Sequence, residues 1–185
     1  VIHEPKKLAA FKNADFGLFI SCWWPYTDLH RLKVMGWVIA WLFLWDDELD
    51  HPVGSLGDNI LAGQEYINQT LRFAEQCIGL DEGKEPITPD NLLISSFHVI
   101  GDALRDVYTI GDFPAPLLRL HTMKNLLIST EQRKLFMKEL TFYCNMCVVE
   151  RDIRVNLASH IPTMEEFWAY RRGTTGMRWV FTVSE

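Results

Sequence analysis

An all-α fold is what this sequence predicts, and three observations carry the prediction. Apolar residues recur at three- and four-residue spacing through most of the chain, and cap and break residues stand where such segments should begin and end. No stretch alternates apolar and polar residues convincingly enough to read as a strand. A chain of 185 residues can bury one sizeable core and is short for two ordinary domains, so residues 1–185 are read as a single helical domain.

The first stretch, 1–13, is ambiguous. Residues 14–24 form an apolar segment closed by Pro25 and read as helix. Thr27 and Asp28 can cap the next segment, in which Leu29, Leu32, Met35, Trp37, Ile39, Leu42 and Phe43 carry apolar character over 28–51, the central helix. Pro52 to Gly57 breaks it and supplies a loop that could move. Residues 58–79 are helical again, with Ile60, Leu61, Ile67, Leu71, Ala74 and Ile78 at helical spacing and Gly79 at the end. The polar run 81–86 is a surface connection, too short to separate folded units.

Thr88-Pro89 opens a helix expected to run to about residue 110, because proline is tolerated in a first turn. Pro114 and Pro116 start a segment ending near 128, and Ser129 or Thr130 caps a long helix to about 159. Thr163 and Glu166 make a capping box for the last helix. That helix is interrupted at Gly173-Thr174-Thr175-Gly176, where two glycines and two β-branched residues together lower helix propensity.

The hydrophobic fraction of 48% is that of a globular protein, and a net charge of −6 argues against a general binder of nucleic acid or anionic membrane. The longest apolar run, 34–45, falls short of the roughly 20 residues of a membrane span. No leader pattern stands near Val1, and Cys22, Cys77, Cys144 and Cys147 form no disulfide ladder, so a reducing, cytoplasmic setting is expected. Cys144 and Cys147 form a lone C-x-x-C with no partner pair at zinc spacing and read as buried thiols. His51 beside the acids likewise has no companion histidine at ligand spacing.

The central helix runs into Asp46, Asp47, Glu48 and Asp50. At 100° per residue Asp46 and Asp50 lie about 40° apart, Asp47 flanks them and Glu48 lies about 160° from Asp50. With Asp46 at zero, Ile39 falls at about +20°, Leu42 at −40° and Phe43 at +60°, whereas Trp45 and Trp41 turn away at about −100° and −140°. One helix wall therefore passes from apolar to aromatic to acidic. A solvated acidic helix end is the competing reading, but acids at a helix C-terminus oppose the macrodipole at a few tenths to about 1 kcal/mol each. Carboxylates on such a rim suit Mg²⁺, which takes one or two protein carboxylates together with waters and phosphate oxygens.

Asp46-Asp47-Glu48-Leu49-Asp50 resembles the D-D-x-x-D motif of class I terpene synthases, and its setting after an aromatic helix is similar to that of the fungal cyclases. Arg172-Gly173-Thr174-Thr175-Gly176 resembles the helix-break effector segment of the same family. The resemblance implies the helical bundle of the isoprenoid synthases and Mg²⁺-dependent ionisation and cyclisation of a linear prenyl diphosphate. Farnesyl diphosphate is favoured, with geranylgeranyl diphosphate as the alternative, and three Mg²⁺ ions are implied, with Mn²⁺ as a substitute. By that pattern Asp46 is the first metal ligand, Asp50 the next and Asp47 a flanking acid. Arg172 is the diphosphate sensor, with Arg171 competing for the role, Thr175 the linker and Gly176 the effector. Guanidinium suits a sensor because it stays charged and grips phosphate bidentately.

Phe43 is the first pocket aromatic on the angular reading, with Ile39 on the same wall and Phe19 and Phe97 as further candidates, although each aromatic taken singly reads more readily as plain core. The family's second metal motif, N-D-x-x-S-x-x-x-E, does not occur among these residues, and Glu150 to Arg154 is no substitute because it lacks the asparagine and serine. Continuation of the chain past Glu185 is therefore an expectation, as is inactivity of the 185 residues alone. A chain-elongating prenyltransferase of the same fold and a non-catalytic helical interaction protein are the alternatives. The sequence leaves the cyclisation product and the oligomeric state open.

Overall fold

A computed structural model of the chain describes residues 2, 4–50, 56, 59–109, 118–156 and 161–184. Among these residues the structure is all helical. Its elements are α1 (Pro5–Asn13), α2 (Phe16–Trp23), α3 (Leu29–Asp50), α4 (Ile60–Cys77), α5 (Leu92–Ser95), α6 (Phe97–Thr109), α7 (Leu118–Asn156), α8 (Met164–Thr174) and α9 (Met177–Ser184). The expected loop at Pro52–Gly57, the proline starts at Pro114 and Pro116 and the histidine His51 lie almost wholly outside the described residues; of them only Leu56 is described.

The ambiguous start is helical as α1, which buries no side chain and joins the rest through Phe11 against Phe16 at 4.9 Å. The central helix begins where its cap predicts: Asp28 accepts hydrogen bonds from the amides of His30 and Arg31, both 3.0 Å. Asn59 caps α4 by accepting from Ala62 N, and Gly79 follows α4 with φ +70, the left-handed geometry that favours glycine.

Two expectations need correction. The helix foreseen over 88–110 starts instead at Asn91, whose side chain accepts from Leu93 N and Ile94 N, and it divides at Ser96 into α5 and α6. Ser95 and Ser96 there donate to the Leu92 and Leu93 carbonyls, diverting acceptors from a continuous helix ladder. The predicted boundary at Ser129-Thr130 does not exist, because α7 runs unbroken through it for 39 residues. No glycine or proline stands there to stop it, and the Thr130 hydroxyl accepts from Arg133 instead of capping.

Helices α6 and α9 each pack against both α3 and α7, while α4 packs on α6 and α7 and α8 lies along α7. The core between them holds a closed circuit of six buried rings. Trp41 meets Phe97 at 4.9 Å, Phe97 meets Phe136 at 6.5 Å, and Phe136 meets Trp179 at 5.4 Å. Trp179 meets Tyr143 at 6.2 Å, Tyr143 meets Trp45 at 5.8 Å, and Trp45 returns to Trp41 at 6.0 Å. Polar handles of the central tryptophans are satisfied, Trp41 Nε1 donating to the Leu93 carbonyl and Trp45 Nε1 to Thr70 Oγ1, both at 2.9 Å. These are the two tryptophans that the angular reading turned away from the acids. No described helix is long and apolar enough to cross a membrane.

Close approach of α4 and α6 depends on Gly101, where a Cβ would stand 2.4 Å from Cys77 Cβ and 2.8 Å from the Cys77 carbonyl oxygen. Backbone cannot yield as a side chain can, so Gly101→Ala is expected to destabilise the fold by about 1–3 kcal/mol. A thermal midpoint within a degree of the parent's would contradict this packing.

Candidate active site

The acids at the end of α3 are presented differently from one another. Asp46 is half-buried, while Asp47, Glu48 and Asp50 are exposed and Leu49 between them is buried. This follows from the helix itself, since Trp41, Leu42, Trp45 and Leu49 are drawn into the core and Asp46 lies beside them. Tyr143 of α7 donates from its hydroxyl to Asp46 Oδ1 at 2.8 Å. Burial raises the Asp46 carboxyl above its ordinary value of 3.8; the Tyr143 hydrogen bond opposes that, and the charges of Asp50, Glu150 and Asp47 add to it. Tyr143 is itself buried, which pushes its hydroxyl well above the usual range.

Asp50 pairs with Arg154 Nη2 at 2.9 Å, with both side chains about half exposed (50% and 44%). Asp47 has no hydrogen bond or ion pair among the described residues. Arg171 lies 3.6 Å from Glu150 Oε1 and donates to Thr174 Oγ1, whereas the exposed Arg172 contributes its backbone carbonyl to the Thr175 hydroxyl. The acids, Glu150, Arg154 and Arg171 thus form one charged rim carried by α3, α7 and α8.

The helix break reaches the same place. Thr163 and Glu166 close the expected capping box at the start of α8. The helix ends at Thr174, and Gly176 adopts φ +69 before α9 begins. A Cβ at Gly176 would stand 2.9 Å from Leu42 Cδ2 and 3.6 Å from Tyr143 Cε2, so only glycine lets the break settle against α3 one turn before Asp46. Gly173 lies as tightly on α7, its Cβ position 2.0 Å from Met146 Cγ. Arg178 of α9 closes the arrangement with a two-point ion pair to Glu139, Nε to Oε2 at 2.8 Å and Nη2 to Oε1 at 3.1 Å, while its guanidinium lies 4.8 Å from the Phe142 ring centroid.

The pocket candidates divide into two groups. Phe43 and Phe19 come together at 6.5 Å with Phe16 at 5.5 Å from Phe43, on the side of α3 covered by α2, and Phe43 keeps 46% of its surface exposed. Ile39 and Phe97 are fully buried, and Phe97 belongs to the six-ring circuit. Sequence reasoning missed Tyr143 and set Glu150 and Arg154 aside as no substitute for the second metal motif. The signal that could have found them is their spacing, because with Cys147 they fall within about 60° of one face of α7. Cys144 and Cys147 are buried and free, and burial pushes both thiols up.

Among the described residues no three histidine, cysteine or acidic side chains are gathered as a ready metal cage. The donor set nevertheless fits a hard divalent cation: oxygen donors only, with like charges crowding the half-buried Asp46. A cation that keeps most of its waters and takes phosphate oxygens requires no closed protein cage.

A family model described as terpene synthase family 2, C-terminal metal binding, matches residues 38–185. The chain is 25% identical over its whole length to the sesquiterpene cyclase hepA of Aspergillus oryzae (strain ATCC 42149 / RIB 40), spanning 46% of that protein. It is also 25% identical over 121 residues to the terpene cyclase braA of Annulohypoxylon truncatum, a match of 64% of this chain and 31% of that one. The chain therefore spans less than half the length of these relatives. No solved structure gives a significant match.

A raised folded-state carboxyl costs stability above its own pKa, and the cost is relieved as pH falls toward the unfolded value. In metal-free protein, Asp46→Asn should therefore raise the thermal midpoint at pH 7, since asparagine still accepts from Tyr143. The advantage should shrink on acidification toward 3.8. Equal midpoints at pH 7, or an advantage that grows as pH falls, would contradict the assigned burial.

Proposed function

The chain belongs to the metal-binding terpene synthase family 2, and from that premise we propose that residues 1–185 form the diphosphate-handling helical domain of a class I terpene cyclase. The substrate is a linear prenyl diphosphate, farnesyl diphosphate before geranylgeranyl diphosphate, cyclised with release of diphosphate. What supports this reading is that the acidic motif and the helix break, 130 residues apart, share one tyrosine: Tyr143 bonds Asp46 and lies against Gly176.

Asp46 and Asp50 would hold Mg²⁺, with Asp47 beside them and Mn²⁺ as a substitute. When bound, the metal supplies Lewis-acid charge to the diphosphate oxygens as the allylic C–O bond breaks. The chain's own part is to place charge and exclude water. Arg172 keeps the sensor's spacing to Thr175 and Gly176, while Arg171 has the ion pair that faces the acids, and both are assigned to the diphosphate. Gly176 offers its backbone where Leu42 and Tyr143 leave no room for a side chain. Behind the rim, Ile39, Phe97 and the aromatic circuit are buried packed core, so the ring faces open to a nearby cation, worth about 0.5–2 kcal/mol each, are those on the α2 side. Phe43 and Phe19 line the α2 side.

Full-length protein supplied with Mg²⁺ and farnesyl diphosphate should release diphosphate and yield cyclic products by gas chromatography and mass spectrometry. Asp46→Ala should lower turnover about 10²–10³-fold, the scale of losing one preorganised electrostatic group. Failure to release diphosphate from C10, C15 and C20 prenyl substrates would sink the reading.

A further inference from the structure

Helix α7 presents Tyr143, Cys147, Glu150 and Arg154 along one stripe toward the acids, at i, i+4, i+7 and i+11. Tyr143 holds Asp46, and Glu150 holds Arg171. Arg154 in the last turn of α7 holds Asp50, the outermost acid, at 2.9 Å. Neither the acidic motif nor the helix break accounts for this arginine, yet it places a permanent positive charge on a carboxylate of the motif itself.

Two features of the pair bear on its role. Both partners are about half exposed, and exposed ion pairs bias their geometry by no more than about fivefold, so the contact is cheap to exchange. A guanidinium also has the donors to grip phosphate oxygens in a two-pronged manner, more than the single Nη2 contact it makes to Asp50. If Asp50 held a divalent cation, the charge that holds Arg154 would be cancelled and phosphate oxygens would come to the same rim.

We infer that Arg154 is a diphosphate-binding residue, held by Asp50 until a divalent cation takes that carboxylate and then passed to the phosphate oxygens. The inference rests on the function proposed above. It makes Arg154 a competitor of the metal in one state and a partner of the substrate's leaving group in the next. Its removal should therefore move two affinities in opposite directions, an effect that loss of structure cannot produce.

The test is calorimetry on full-length protein, titrating Mg²⁺ alone and then inorganic diphosphate at saturating Mg²⁺. In Arg154→Gln, Mg²⁺ should bind about two- to fivefold more tightly because Asp50 is unmasked. Diphosphate should bind about tenfold or more weakly, the scale of a lost charged hydrogen bond. Arg154→Lys should fall between the two on diphosphate. Arg31→Gln, which breaks the exposed Arg31–Asp28 pair at the far end of α3, should change neither affinity. Unchanged diphosphate affinity in Arg154→Gln, or a parallel weakening of both ligands, overturns the inference alone. A parent protein that binds no diphosphate in Mg²⁺ overturns it together with the proposed function.

Discussion

The hydrogen bond from Tyr143 to Asp46 is the contact on which the site depends. A carboxylate pulled toward a core loses hydration, and it stays ionised only when a donor or a cation replaces that water. Asp46 is pulled in because α3 buries Trp41, Leu42, Trp45 and Leu49 around it, and the tyrosine hydroxyl replaces part of the lost solvation at 2.8 Å. That hydroxyl is in turn held in place by its ring, fixed between Trp45 and Trp179. Packing of the aromatic core therefore sets the position of a polar atom at the rim, and the rest of the acidic cluster follows from the helix on which Asp46 sits.

The helix break is anchored to the same centre from the other side. Gly173 and Gly176 let the chain pass closer to Met146, Leu42 and Tyr143 than any larger residue could, and the positive φ of Gly176 redirects the backbone into α9. Redirection places Trp179 in the core and Arg178 on Glu139, so α9 is bound by an apolar ring and by an ion pair within two residues. Displacing the break would disturb Tyr143, and through it Asp46. This mutual dependence is why two motifs far apart in sequence act as one structural unit.

Features written in local chemistry are legible in the sequence. The Thr163 capping box, the Asp28 cap, the acids at the end of α3 and the interruption at Gly173–Gly176 each depend on a few adjacent residues, and those residues alone are enough to reveal them. What depends on distant neighbours is not legible in this way. The division at Ser96 and the continuity of α7 through Ser129-Thr130 are decided by which donors and acceptors find partners, so isolated cap residues mislead there. Angular arithmetic places Phe43 near Asp46 on the helix wheel, but it cannot say that α2 lies on that side and gathers Phe43 with Phe16 and Phe19. Tyr143, Glu150 and Arg154 match no motif, and their relevance comes entirely from what α7 faces.

Charge balance on the rim follows from that facing stripe. Burial raises Asp46 and the charges of Asp50, Glu150 and Asp47 add to it, and unrelieved repulsion among these four acids would favour splaying the end of α3 away from α7. Contacts across the stripe relieve it by two means: a neutral donor for Asp46, and a guanidinium each for Asp50 and Glu150. Only the first of these is buried in the core; the two ion pairs lie at the solvent edge, where exchange of partners costs little. The geometry thus separates a fixed anchor from replaceable counter-ions. A rim built this way can exchange one ion-pair partner for another at the solvent edge while the buried Tyr143–Asp46 contact stays in place.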